Sequence, residues 1–205
     1  MIIVQGHGKL KLAIAHLRQS DPVLAAIIER VGPCRIVSRE PTFETLARSI
    51  TFQQLSGKAA GTIFDRLRTA VGARFTASAF LRLSHQELRA CGLSRQKIAS
   101  IIDLAERRIN FKKLNTLPDE EIIALLSQVR GVGVWTVQMF LMFALDRPNV
   151  LPVGDLGIRN AIYKAYGLTT PPKPADIARH AEKWHPYCTV ACWYLWRSLD
   201  GAAQL

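Results

Sequence analysis

The stretch Leu125-Leu-Ser-Gln-Val-Arg-Gly-Val-Gly-Val-Trp-Thr-Val-Gln-Met-Phe140 constrains the fold more than any other part of the chain. Ile122, Ile123, Leu125, Leu126 and Val129 recur at helical spacing and predict one apolar helix face. Gly131 and Gly133 then bracket Val132. Glycine permits the positive φ and the close backbone approach that a tight turn needs. From Val134 to Leu145 the residues are apolar nearly all round, which predicts a buried helix. The stretch therefore reads as helix, glycine hairpin, helix. The second helix leaves free N–H groups at its start, beside two residues without side chains, and that geometry can hold a phosphate. The Gly-Lys-Ser/Thr ending of a nucleotide-binding phosphate loop is absent. The plainer alternative is a helix connection whose glycines only make the turn.

Charge bears on that choice. The chain carries a formal net charge of +11 with a pI near 10.0. An excess of Lys and Arg on this scale points to a polyanionic partner, with nucleic acid ahead of an anionic membrane. At 49% hydrophobic and 21% charged residues the 205-residue chain is globular, with enough length for one sizeable core or two small lobes. The stretch Met1-Ile-Ile-Val-Gln-Gly6 is too short for a targeting core, and the run Val132 to Leu145 is too short for a membrane span, so an intracellular protein is expected. Cys34, Cys91, Cys188 and Cys192 form no Cys-x-x-Cys pair, which argues against a zinc ribbon and for reduced thiols.

The rest of the chain reads as helices joined by loops of two to eight residues. Helices are expected over Lys9 to Gln19, from the Ser20-Asp21-Pro22 start signal to Val31, from Pro41-Thr42 to about Gln54, and over Lys58 to Val71. Ser84-His-Gln-Glu87 is a capping box, and Ser94 caps a helix running to Ile109. Further helices are expected at Asp155 to Tyr166, about Ala175 to Trp184, and Pro186 to Leu199.

Asp155 is the sharpest candidate for chemistry. It follows Pro152-Val-Gly154 at a helix start, where an aspartate commonly serves as an N-cap. It also lies about 20 residues beyond the hairpin. The intervening helix runs roughly 18 Å at about 1.5 Å per residue, and an extended return through Val150 to Gly154 brings the chain back. Local sequence leaves cap and catalyst both open.

Taken in order, Val129-Arg-Gly-Val-Gly-Val-Trp-Thr136 and Leu151-Pro-Val-Gly-Asp155 resemble the helix–hairpin–helix DNA glycosylases, and within them the 3-methyladenine DNA glycosylase II (AlkA-like) family. Ile50-Thr-Phe-Gln-Gln-Leu-Ser56, Gly92-Leu-Ser-Arg-Gln-Lys97 and Trp184-His-Pro-Tyr187 with Tyr194-Leu-Trp-Arg197 fit the same family, so the resemblance spans roughly Asp21 to Leu199. It implies an all-α, two-lobed fold, with one lobe at about 42–147, the other at about 1–41 plus 148–205, and an active-site cleft between them. It implies base flipping from double-stranded damaged DNA by a monomer, without a cofactor. Asp155 takes the catalytic role, Gln54 the wedge that fills the void, and Gly131, Gly133 and Thr136 the grip on DNA. Trp135, Trp196, Met139 and Tyr194 are the implied base pocket, while Trp193 is expected in the core. A monovalent cation at the carbonyls of Ser127, Val129 and Gly131 is a further family feature.

The same resemblance implies release of alkylated purines such as 3-methyladenine and 7-methylguanine. Bifunctional relatives carry a lysine where this chain has Trp135, so no strand nicking is expected. Three departures stand out: Met139 in place of a frequent aromatic, Gly157 where a bulkier residue can line the pocket, and Cys188-Thr189 for a common Arg-Ser. Two rival readings stay open at this stage, a glycosylase for deaminated or oxidised bases and a non-catalytic DNA-binding protein.

Overall fold

The computed structural model describes residues 2–3 and 7–200. Met1 and Val4 to Gly6, most of the stretch read above for a targeting core, lie outside them. Backbone geometry divides the chain into two compact units: a central unit Glu40–Phe140, and a terminal unit made of Met1–Arg39 and Leu141–Leu205. The second division falls inside a helix and not after Arg147, where the sequence places it. Past Phe140 that helix packs with terminal-unit residues: the Phe143 carbonyl accepts from Arg39 N–H at 2.8 Å, and Phe143 lies 6.1 Å from the Trp196 ring.

The terminal unit opens with two helices. α1 (His7–Ser20) and α2 (Pro22–Val31) pack on each other. Asp21 caps α2, accepting from the N–H groups of Val23 and Leu24 with Pro22 in the first turn. β1 (Ile2–Ile3) and β2 (Val37–Ser38) form a two-residue antiparallel ladder, the one departure from an all-helical fold among the described residues.

In the central unit α3 (Phe43–Phe52) begins at Thr42 and α4 (Gly57–Val71) at Ser56, each capped by its own hydroxyl. Phe43, Leu46, Ala47 and Ile50 bury one face of α3 at helical spacing. α5 (Ala77–Phe80) was not expected; it is a single turn capped by Thr76, too short for a periodic signal. α6 (His85–Ala90) has its capping box, Ser84 with Glu87. α7 (Arg95–Glu106), capped by Ser94, packs against α3, α5 and α6 and is the unit's central strut. A 3-10 turn at Phe111–Thr116 leads to α8 (Asp119–Leu126), whose first turn carries three acidic residues at the helix's positive end. α9 (Val134–Phe143) is buried along Val137, Phe140, Leu141 and Met142.

In the terminal unit α10 (Leu156–Ala165), α11 (Pro174–Ala181) and α12 (Cys188–Asp200) complete the chain. α12 packs against both α2 and α10, with Cys188, Ala191, Cys192, Tyr194 and Leu195 fully buried. It starts two residues later than the sequence predicts, after a turn in which Tyr187 N–H donates to the Trp184 carbonyl. Among the described residues no helix is long and apolar enough to cross a membrane, and the four cysteines are free.

Candidate active site

The hairpin between α8 and α9 is closed by its own backbone. Val129 N–H donates to the Leu126 carbonyl and Val132 N–H to the Val129 carbonyl. Gly131 has a φ of +73°. A Cβ there would also sit 2.7 Å from Ser100 Oγ on α7, so glycine is required twice over. Gly133 differs: an added Cβ would meet no heavy atom within 4 Å, and the space outside it is open.

A second loop is fixed to this hairpin. Gln53, at the end of α3, donates its amide to the Gly131 carbonyl at 3.0 Å and to Thr136 Oγ1 at 3.2 Å. Thr136 is thereby a buried support for the loop. Gln54 follows with a φ of +56° and an exposed side chain, presented by a left-handed backbone step. Phe52, Gln53, Gln54, Trp135, Thr136 and Met139 line one cavity of about 610 Å³. Trp135 is 48% exposed at its rim. So the structure brings together Gln54, the hairpin glycine Gly131, Trp135, Thr136 and Met139, all within the central unit.

Asp155 stands in the terminal unit as the N-cap of α10. Its Oδ1 accepts from Ile158 N–H at 2.7 Å and from the Trp196 indole N–H at 2.9 Å. The residue is 8% exposed. Gly157 explains how the indole gets there. A Cβ at this position would lie 2.9 Å from Trp196 Cδ1 and 3.0 Å from both Trp196 Nε1 and Asp155 Oδ1. The room that a bulkier residue would take at this position is filled by Trp196. Beneath them, burial first, then the neighbouring Cys188 and Asp155, push the Cys192 thiol well above its ordinary pKa.

One expectation needs correction. Tyr194 is fully buried, with its hydroxyl donating to the Gly32 carbonyl, and it belongs to the terminal core and not to a base pocket. Residues two apart on a helix point to opposite sides, so Tyr194 and Trp196 never share a face. The Gly131 carbonyl accepts the Gln53 amide and the Val129 carbonyl accepts Val132 N–H, which leaves each oxygen a second lone pair. Among the described residues no group of three His, Cys, Asp or Glu is placed to hold a metal ion. Trp193 is half-buried, edge-on to Tyr194 at 5.0 Å.

The profile described as HhH-GPD superfamily base excision DNA repair protein matches residues 47–186, which includes the hairpin, the Gln53–Gln54 loop and Asp155. The chain belongs to the HhH-GPD superfamily. Among HhH-GPD relatives, the DNA-3-methyladenine glycosylase 1 of Schizosaccharomyces pombe is 32% identical over 203 residues, covering 96% of this chain and 89% of that protein. The solved structure of a Schizosaccharomyces pombe 3-methyladenine DNA glycosylase in complex with abasic DNA matches with a TM-score of 0.79 and 34% identity, over 92% of this chain and 96% of the other. A DNA-3-methyladenine glycosidase from Bacillus halodurans matches with a TM-score of 0.83 and 31% identity, over 99% and 94% of the two chains. Two residues of this HhH-GPD chain escaped sequence reasoning: Gln53, which braces the hairpin, and Asp103, which accepts Arg130 N–H at 2.7 Å. Each acts on a partner distant in sequence, so no local pattern marks it.

Proposed function

We propose that the protein is a monofunctional DNA glycosylase that releases alkylated purines, of the 3-methyladenine and 7-methylguanine type, by hydrolysing the N-glycosidic bond in base excision repair. The observation that carries this reading is the Asp155 carboxylate, whose Oδ1 is fixed by a helix N–H and an indole N–H within a chain of this superfamily.

Breaking the bond leaves oxocarbenium character on the sugar. A carboxylate already fixed in place stabilises that charge without reorganising at the moment of reaction. It also orients or deprotonates the attacking water. Alkylation at a ring nitrogen makes the base cationic and a good leaving group, so the pocket need supply little acid. What it supplies is aromatic surface. Trp135, half exposed at the cavity rim, offers a face for stacking and for cation–π attraction of about 0.5–2 kcal/mol. In the terminal unit, Trp196 serves Asp155 through its indole N–H. Gln54 fills the space of the flipped nucleotide, and the open side of Gly133 admits the backbone phosphate.

Trp135 occupies the place of a Schiff-base lysine, so the product is an abasic site in an intact strand. The test is release of free base from methylated duplex DNA, followed on a denaturing gel without alkali. Base release with no strand scission is expected, and Asp155→Asn should stop it. Release only from deaminated or oxidised DNA would move the substrate class; no release from any damaged DNA, with binding intact, would leave a non-catalytic DNA-binding protein. Strand scission without alkali would refute the monofunctional assignment.

A further inference from the structure

One stripe of α7 reaches both the wedge loop and the hairpin. Lys97, Ser100 and Asp103 follow each other at i, i+3 and i+6, neighbours along the helix surface spanning about 9 Å. Lys97 sits at the first position. Its ammonium donates to the Thr51 carbonyl at 2.6 Å and to the Gln53 carbonyl at 2.8 Å. These are carbonyls at the C-terminal end of α3, where unpaired oxygens and the helix dipole favour a cation. The second bond is made one residue before Gln54, whose positive φ needs an external hold. Ser100, buried, lies against the Cα of Gly131. Asp103 accepts Arg130 N–H at 2.7 Å and Arg107 Nε at 3.0 Å. That hydrogen bond from Arg130, against some burial and with Arg107 and Arg130 charge added, holds its carboxyl below the usual range. Gln53 closes the loop by bonding the Gly131 carbonyl directly.

We infer that α7 is a ruler: Lys97, Ser100 and Asp103 set the distance between the Gln54 wedge and the phosphate-gripping hairpin, so that the two engage DNA as one element. The inference rests on the glycosylase reading for its wedge and grip, and on geometry within the central unit for their coupling. Lys97 and Asp103 are positioning residues; neither touches the reacting bond. A merely structural role would lower stability and weaken every activity alike. A ruler makes the wedge ineffective while the hairpin still meets phosphate.

The test uses duplex DNA carrying an abasic analogue, with 2-aminopurine in the opposite strand across from it. Insertion of the wedge unstacks the 2-aminopurine and raises its fluorescence, with no bond broken. Gln54→Ala defines the signal without a wedge. Lys97→Met and Asp103→Ala should each cut the fluorescence rise about tenfold, the scale of one charge-assisted hydrogen bond, with Lys97→Arg restoring part of it. In either background, adding Gln54→Ala should have almost no further effect, because the wedge is already out of register. Additive losses from Lys97→Met and Gln54→Ala would overturn the inference, and so would an undiminished signal in both positioning variants. Thermal melting screens each variant, and Gln53→Ala stands in should Lys97→Met fail to fold. A normal signal with no base release from wild-type protein would sink the enzyme reading and leave the ruler standing.

Discussion

Asp21 and Asp155 occupy equivalent local positions in the terminal unit and have different fates. Each caps a helix, α2 or α10, that packs against α12, and each accepts an indole N–H. Asp21 is sealed. Its Oδ1 takes two backbone N–H groups, while its Oδ2 takes Trp184 Nε1 at 2.7 Å, the Tyr166 hydroxyl and the Lys183 ammonium at 3.2 Å. None of the residue is exposed. At Asp155 the backbone donor and the indole both fall on Oδ1, and 8% of the residue reaches solvent. A charge surrounded on both oxygens and paired with a cation is a structural centre. A charge held by two fixed donors where solvent still reaches the residue is suited to act on something else. The lesson is that the cap motif fixes where an aspartate sits, and donors from distant helices fix what it does.

Exchanging the same atom at both positions tests that division most severely. Asp155→Asn keeps a good N-cap and removes the charge. Base release should fall by at least about 10²-fold, the scale of losing one preorganised electrostatic contact in a site, with the melting temperature nearly unchanged. Asp21→Asn should do the opposite. It leaves the half-exposed Lys183 beside a neutral partner and disturbs the hydrogen bonds of Tyr166 and Trp184, so stability should drop by about 1–3 kcal/mol, while base release per folded molecule holds. Chemical denaturation and single-turnover release, measured on both variants, check the pair. Equal losses of activity and stability at each position would erase the distinction.

Burial works against the Asp21 charge, but hydrogen bonds from Trp184, Tyr166 and Leu24 N–H, with the Lys183 ammonium, outweigh it and lower the pKa below the ordinary value. A carboxylate whose folded pKa is depressed adds stability that is fully present above its unfolded pKa, near 3.9. That stability is lost as pH falls from there through the folded pKa. Wild-type stability should therefore decline steeply below about pH 4. The decline should be visibly shallower in Asp21→Asn, and denaturation at stepped pH reads the slopes directly. Matching slopes would move the acid response to other carboxylates.

Much of this was legible because helix starts are local events. Thr42, Ser56, Ser84, Ser94, Asp21 and Asp155 all cap where their sequence neighbourhoods place them. The hairpin was legible for the same reason, since Gly131 with its positive φ sits between two apolar periodic runs. Pairings across the fold were not. Trp196 meets Asp155 from 41 positions away, Gln53 meets Gly131 from 78, and Lys97 meets Gln53 from 44. Periodicity says that a face is buried, not which side chain opposes it. The Tyr194 assignment went wrong where periodicity had enough information, since two helical residues in sequence 100° apart per step put Tyr194 and Trp196 on opposite sides. The short turn of α5 and the 3-10 turn at Phe111–Thr116 were missed because neither is long enough to repeat.

The smallest effect probes the hold on Asp155 Oδ1 most finely. Trp196→Phe keeps an aromatic ring and deletes the N–H; Gly157→Ala keeps the indole and pushes on it. Alanine at Gly157 carries no backbone penalty, since its φ is not in the left-handed range, and it adds helix propensity of up to about 1 kcal/mol. The Cβ clash with a rigid ring works in the other direction, by about 1–3 kcal/mol where packing is tight. Stability should therefore change by little, about 1–2 kcal/mol at most. The rate should respond more, because the displaced indole no longer fixes Oδ1. Both variants are expected to lower single-turnover base release about tenfold, the value of one hydrogen bond to a charged group, with substrate affinity nearly unchanged. If Trp196 instead matters as a stacking face, Trp196→Phe will retain most activity and Gly157→Ala will weaken binding. The two variants would then separate, and the indole N–H would have no part in steering the carboxylate.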